Sequence, residues 1–175
     1  MKRRLICIKG EKNGGKTHLM YALCSLIDLD GAVIGGMIQV PSLPHQKKNM
    51  YQLSDQHTGE VRTILDRQQH DRWEKFKCFF IDQSAFDWAN AQIMKACDGS
   101  DYLIFDEIGL LELQKGGFYP SFTDALKNFG GRIIFNVREE FLTQVCEYFS
   151  IDENELIVID SGTDSDSAYE RVIHD

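Results

Sequence analysis

Residues Gly10-Glu11-Lys12-Asn13-Gly14-Gly15-Lys16-Thr17 fill every fixed position of the pattern G-x-x-x-x-G-K-[ST]. A glycine-rich loop of this kind turns backbone N–H groups inward and cradles phosphates. Gly10, Gly14 and Gly15 allow the close backbone approach and positive φ angles this demands. Lys16 can reach β- and γ-phosphates, and the Thr17 hydroxyl can ligate Mg²⁺. The flanks suit the motif. Leu5 to Lys9 is apolar and β-branched, as a buried strand is. Leu19, Met20, Leu23, Leu26 and Ile27 then follow a helical period over Thr17–Leu29. The helix start directs its positive dipole end at the anion. The candidate nucleotide contacts are therefore Gly10, Glu11, Lys12, Asn13, Gly14, Gly15, Lys16, Thr17 and His18. A glycine-rich turn that merely happens to carry Lys-Thr does not account for these flanks.

A phosphate loop of this type needs a metal-binding acid later in the chain. Leu103, Ile104 and Phe105 read as a strand of a parallel sheet, and Asp106-Glu107 follows. Ligands of open α/β sheets bind outside the carboxyl ends of strands, where Asp106 falls. Asp106 is the candidate Mg²⁺ ligand beside Thr17. Glu107 is placed to orient or deprotonate an attacking water. Taken singly, Asp106 can cap a turn and Glu107 can be a solvated charge. Together with the loop they favour nucleoside triphosphate hydrolysis.

Composition limits the partners. The chain has 175 residues with a net charge of −8, and 43% of its residues are hydrophobic. One domain spanning 1–175 is expected, with enough chain to bury a substantial core. An acidic chain lacks the Lys/Arg surplus that nucleic-acid backbones require, so no nucleic-acid partner is expected. The basic start Lys2-Arg3-Arg4 precedes too short an apolar run for a signal peptide. No run approaches the ~20 apolar residues of a membrane span, so a cytoplasmic location is expected. The five cysteines and five histidines show no metal-ligand spacing. Most of the cysteines are expected to pack as small hydrophobes, and His18 to cap or pack rather than catalyse.

Further along, 32–40 reads as a strand with a glycine interruption. Residues 41–49 read as a loop, and 50–53 as a short strand before the turn 54–59. Residues 61–69 are ambiguous, and 73–81 read as another strand. This middle block suggests antiparallel strands inserted between the phosphate loop and the metal strand. A helix from about Ser84, its expected N-cap, to Ala96 restores alternation. Then come the metal strand, a helix near Pro120 that ends before Gly130-Gly131, a strand 132–138, a helix 139–149 and a strand 156–159. The acidic tail, from about 162, is expected to be mobile. Alternating strands and helices imply a three-layer α/β fold with a mostly parallel sheet and inserted antiparallel edge strands.

The run Phe105-Asp106-Glu107-Ile108-Gly109-Leu110-Leu111-Glu112-Leu113, closing with Phe118, resembles the metal-strand signature of the small P-loop nucleoside triphosphatases of the THEP type. The phosphate loop is similar, as are the Thr58-Gly59-Glu60 turn with Arg67 after it and the Ala85-Phe86 helix start. The resemblance implies a RecA-like fold and Mg²⁺-dependent, slow hydrolysis of ATP, GTP and other nucleoside triphosphates with little base selectivity. It assigns phosphate binding to Lys16 and the loop amides, Mg²⁺ to Thr17 and Asp106, and water positioning to Glu107. One departure is that family members carry a glutamate- and arginine-rich stretch where residues 36–53 here read GMIQVPSLPHQKKNMYQL.

Secondary candidates complete the reading. Arg138, just past a strand end, is a candidate catalytic cation for the γ-phosphate, and Asn136 an alternative that orients water. Lys47 and Lys48 are candidates for a lid. Tyr51, Phe86 and Trp88 suit base stacking or core packing. Glu112 is read as pairing with a basic neighbour. A small-molecule or nucleoside kinase, and a nucleotide-gated switch or adaptor, are the competing functions.

Overall fold

The computed structural model describes residues 4–41 and 49–175. The lid candidates Lys47 and Lys48 lie outside the described residues. Among those residues the chain forms strands β1 (Leu5–Gly10), β2 (Ile34–Gln39), β3 (Met50–Asp55), β4 (Val61–Asp66), β5 (Glu74–Phe76), β6 (Phe79–Ile81), β7 (Tyr102–Phe105), β8 (Arg132–Arg138) and β9 (Leu156–Asp160). The helices are α1 (Lys16–Leu29), α2 (Gln83–Ala96), α3 (Leu110–Leu113), α4 (Tyr119–Asn128), α5 (Leu142–Phe149) and α6 (Ser165–His174).

All nine strands join one sheet in the order β5-β6-β4-β3-β2-β7-β8-β1-β9. The block β2-β7-β8-β1-β9 is parallel. The block β5-β6-β4-β3 adds to β2 by antiparallel pairing throughout. The antiparallel portion is thus larger than a simple edge. The region 73–81, which reads as one strand, is a hairpin whose turn holds Lys77 at φ 55°. That turn has none of the Asn-Gly or Gly-Gly signals that mark hairpins in sequence.

Alternation along β1 explains the three layers. Cys7 faces a core shared with Ala89, Phe122 and Val145 from α2, α4 and α5. Ile6 and Ile8 face the opposite core, with Leu19, Met20 and Leu23 of α1 and Ala168 and Val172 of α6. A strand buried on both faces must be apolar throughout, as this one is. The glycine interruption in β2 also has a cause. Gly36 lies at φ +107°, and a Cβ there would sit 2.2 Å from the Ile104 carbonyl oxygen of the neighbouring strand.

Two expectations change. Asp82, not Ser84, caps α2, because its carboxylate accepts from the Ser84 and Ala85 amides. The tail is not a bare mobile segment: α6 docks on α1. The Tyr169 hydroxyl donates to the Asp30 carboxylate, and the Arg132 guanidinium donates to the Val172 carbonyl. The i,i+4 spacing of Ala168 and Val172 was hidden among acids. Val172→Ala should therefore cost about 1.5–3 kcal/mol in urea unfolding. An unchanged midpoint would mean that α6 adds nothing to the folded core.

Candidate active site

β1, β8 and β7 are parallel neighbours in register, with Gly10 beside Arg138 and Phe135 beside Phe105. Their carboxyl ends therefore open on one edge of the sheet. This places Lys16 at the start of α1, Arg138 at the end of β8, and Asp106-Glu107 just beyond β7 around one cavity of about 670 Å³. Lys12, Asn13, Gly14, Gly15, Thr17 and His18 line it as well. Gly15 caps α1 at φ 86°, and no side chain caps that helix. His18 is exposed in the first turn and neither caps nor packs as expected.

Gly10 and Glu11 do not line the cavity; they act through their carbonyl oxygens. The Lys16 ammonium donates to Glu11 O at 2.7 Å and Gly10 O at 3.3 Å, and lies 4.0 Å from a Glu107 oxygen. Lys16 is 5% exposed, so these partners repay much of the cost of burying its charge. The other Glu107 oxygen accepts from Arg138 Nε at 2.9 Å. Glu107 is thus held between two cations, with its carboxylate half-buried at the cavity wall.

Asp106 is 1% exposed yet reaches the cavity. Asn136 Nδ2 donates to its Oδ1 at 2.7 Å, and the Gln39 amide donates to Oδ2 at 3.0 Å. Asn136 is fully buried and does not line the cavity, so it positions Asp106 rather than orienting water. The Gln39 backbone amide makes this contact across the sheet, and the Gln39 side-chain amide also donates to the Asp106 carbonyl at 3.5 Å. A carboxylate keeps further lone pairs when it accepts two hydrogen bonds. Asp106 and the Thr17 hydroxyl supply hard oxygens on the same cavity, which suits Mg²⁺ delivered with phosphates and waters. Among the described residues no cluster of three or more His, Cys, Asp or Glu could cage a metal without such a partner.

Among the described residues Glu112 forms no ion pair with a basic neighbour. It is 2% exposed and accepts from the Gly109 amide at 2.8 Å and the Phe118 amide at 2.9 Å, fastening the segment after β7. Burial pushes its carboxyl from 4.5 up to about 7, against the lowering effect of the two amides. Trp88 lies beneath the Arg62 guanidinium and away from the cavity, whereas Tyr51 and Phe86 line it. The Thr58-Gly59-Glu60 turn lies at the β3–β4 connection and does not line the cavity, which Arg67 does.

The topology and the loop at the first βα turn define a P-loop NTPase of RecA-like architecture. The family model described as NTPase matches residues 5–164, and the chain belongs to that family. Its fold is similar to the crystal structure of THEP1 from the hyperthermophile Aquifex aeolicus, with a TM-score of 0.69 and 14% identity, covering 98% of this chain and 95% of that one. It is also similar to the solution structure of a human cancer-related nucleoside triphosphatase, with a TM-score of 0.72 and 15% identity over 97% of this chain and 95% of that one. No curated protein matches the chain in sequence. Membership supports nucleotide binding and hydrolysis of the P-loop type. Among the described residues no helix is long and apolar enough to cross a membrane.

A buried acid whose folded pKa is raised contributes stability below its unfolded value and loses it as pH rises through the folded one. Glu112 should contribute in this way, fully below pH 4.5 and less as pH passes about 7. The stability advantage of the wild type over Glu112→Gln, measured by urea unfolding, should shrink as pH is raised from about 5 to about 8. A difference that stays level would assign Glu112 an ordinary carboxyl pKa, and one that widens would assign it a lowered pKa.

Proposed function

We propose that the protein hydrolyses nucleoside 5′-triphosphates to diphosphate and phosphate, with Mg²⁺ and with little selectivity for the base. The observation that carries this reading is Glu107, held between Lys16 at 4.0 Å and Arg138 at 2.9 Å on the cavity into which the phosphate loop opens. The family match and the resemblance to nucleoside triphosphatases support it. Mg²⁺ would be held by Thr17 and Asp106 and would neutralise phosphate charge when bound with the nucleotide.

The chain's own groups divide the work. The loop amides and the dipole of α1 attract the phosphates. Lys16 exchanges its carbonyl partners for the β- and γ-phosphate oxygens, which are stronger acceptors. Glu107 accepts a proton as a water oxygen bonds to the γ-phosphorus and the bridging P–O bond breaks. Arg138 fixes the orientation of that carboxylate and places a second positive charge beside the developing oxyanion. Asn136 and the Gln39 amide hold Asp106 in place before any ligand arrives, so little reorganisation is left for the reaction itself.

Phosphate release with Mg²⁺ and each of ATP, GTP, CTP and UTP tests this directly. Glu107→Gln should bind nucleotide as the wild type does and lose about 10²–10⁴-fold in turnover. Lys16→Ala should lose nucleotide binding. Normal turnover in Glu107→Gln would remove Glu107 from the chemistry. Arg138→Ala should reduce turnover by about 10²-fold or more, with a smaller effect on affinity. Transfer of phosphate to an added acceptor faster than to water would favour a kinase.

A further inference from the structure

The cavity is not walled by the nucleotide motifs alone. Its far wall comes from the antiparallel block: Tyr51 of β3, Leu65 of β4, Phe76 of β5 and Phe79 of β6, with Arg67 and Lys77 at their ends. Tyr51, Phe76 and Phe79 are half-buried, and Tyr51 and Phe79 meet edge-to-face at 5.3 Å. The Arg67 guanidinium lies over the Phe79 ring, 5.2 Å from its centre. Arg67 and Lys77 form no ion pair among the described residues, although the chain carries a net charge of −8.

A triphosphate tail uses amides, cations and a metal, not aromatic walls. Rings lining a cavity offer stacking to a flat partner. An arginine fixed across one of those rings keeps its fork for an oxyanion, which it binds in bidentate fashion. Tyr51 lines the same cavity as Arg138, Glu107 and Arg67 and so links its two ends.

We propose that the compartment between Tyr51, Phe79 and Arg67 is a second ligand site, taking a flat-ringed molecule that carries a phosphate or carboxylate, while the phosphate loop holds its triphosphate. The ring lies against Phe79 and Tyr51, the oxyanion meets Arg67, and Lys77 adds charge at the mouth. A ligand seated there lies beside Glu107, next to the γ-phosphate position. The proposal rests on the nucleotide reading of the loop for its first occupant only, because the compartment is built from different residues.

The test is calorimetric titration of the full chain, saturated with Mg²⁺ and a non-hydrolysable triphosphate analogue. The probes are AMP and CMP as ring phosphates, and nicotinate and 4-hydroxybenzoate as ring carboxylates. At least one probe should bind one per chain without displacing the analogue, and the arm that binds identifies the oxyanion. Arg67→Ala should weaken that binding about tenfold or more. Phe79→Leu, which keeps an apolar wall, should also weaken it. Titrated without analogue, the Lys16→Ala protein should bind the probe as the wild type does. Failure of every probe to bind the loaded protein would overturn the proposal and leave the compartment to the triphosphate's own base. So would displacement of the analogue, or binding that is lost in Lys16→Ala and unaffected in Arg67→Ala. Failure of the analogue itself to bind would count against the loop reading instead, and the probes on unloaded protein would still decide the second site.

Discussion

Three parallel strands ending at the same level are what the site depends on. β1, β8 and β7 lie side by side in register, so the phosphate loop, Arg138 and the Asp106-Glu107 pair leave the sheet at one edge. The pairing is held by backbone hydrogen bonds and by apolar side chains buried on both faces. A shift of β8 by one residue would exchange the faces of Asn136 and Phe135. Asp106 would then lose its Asn136 partner, and a phenyl ring would lose its place in the core. The geometry of the charges is thus fixed by packing that involves no charge at all.

Charge burial at this edge is handled mainly with backbone groups. Lys16 is satisfied by the carbonyls of its own loop, Asp106 by an amide of β2 and the buried Asn136, and Glu112 by two amides of the segment after β7. Backbone partners do not titrate and cannot swing away. They leave the ionised groups aligned before any ligand arrives, at the expense of desolvation. Glu107 differs, because its partners are the side chains of Lys16 and Arg138. Both are flexible side chains, so the carboxylate proposed for proton transfer is also the one whose surroundings can change.

The antiparallel block gives the site its second character. Four strands added to β2 carry aromatic side chains and two cations up to the same cavity. Among the described residues five cations line it (Lys12, Lys16, Arg67, Lys77 and Arg138) against three acids (Asp106, Glu107 and Glu112), although the whole chain is acidic. Such local concentration attracts anionic ligands to the cavity while the rest of the surface repels them.

The glycine-rich loop, the apolar β7 with the acids after it, and the alternation that makes an α/β sheet were all legible in the linear chain. These are local patterns: a glycine spacing, a buried run, a helical period. It also brought Arg138 forward, because a strand end is legible from its flanks. What it did not determine was anything resting on contacts between distant segments. Glu112 reads as an acid paired with a basic neighbour until the fold buries it against the Gly109 and Phe118 amides, and Asn136 reads as orienting a water until the sheet sets it beside Asp106. The acidic tail hides two apolar residues whose value appears only once α1 is there to receive them. The hairpin 74–81 and the wall it builds carry no turn signal. Tertiary structure decided these because burial and backbone hydrogen bonding are properties of the assembled chain, whereas periodicity and motif spacing are already present in its linear order.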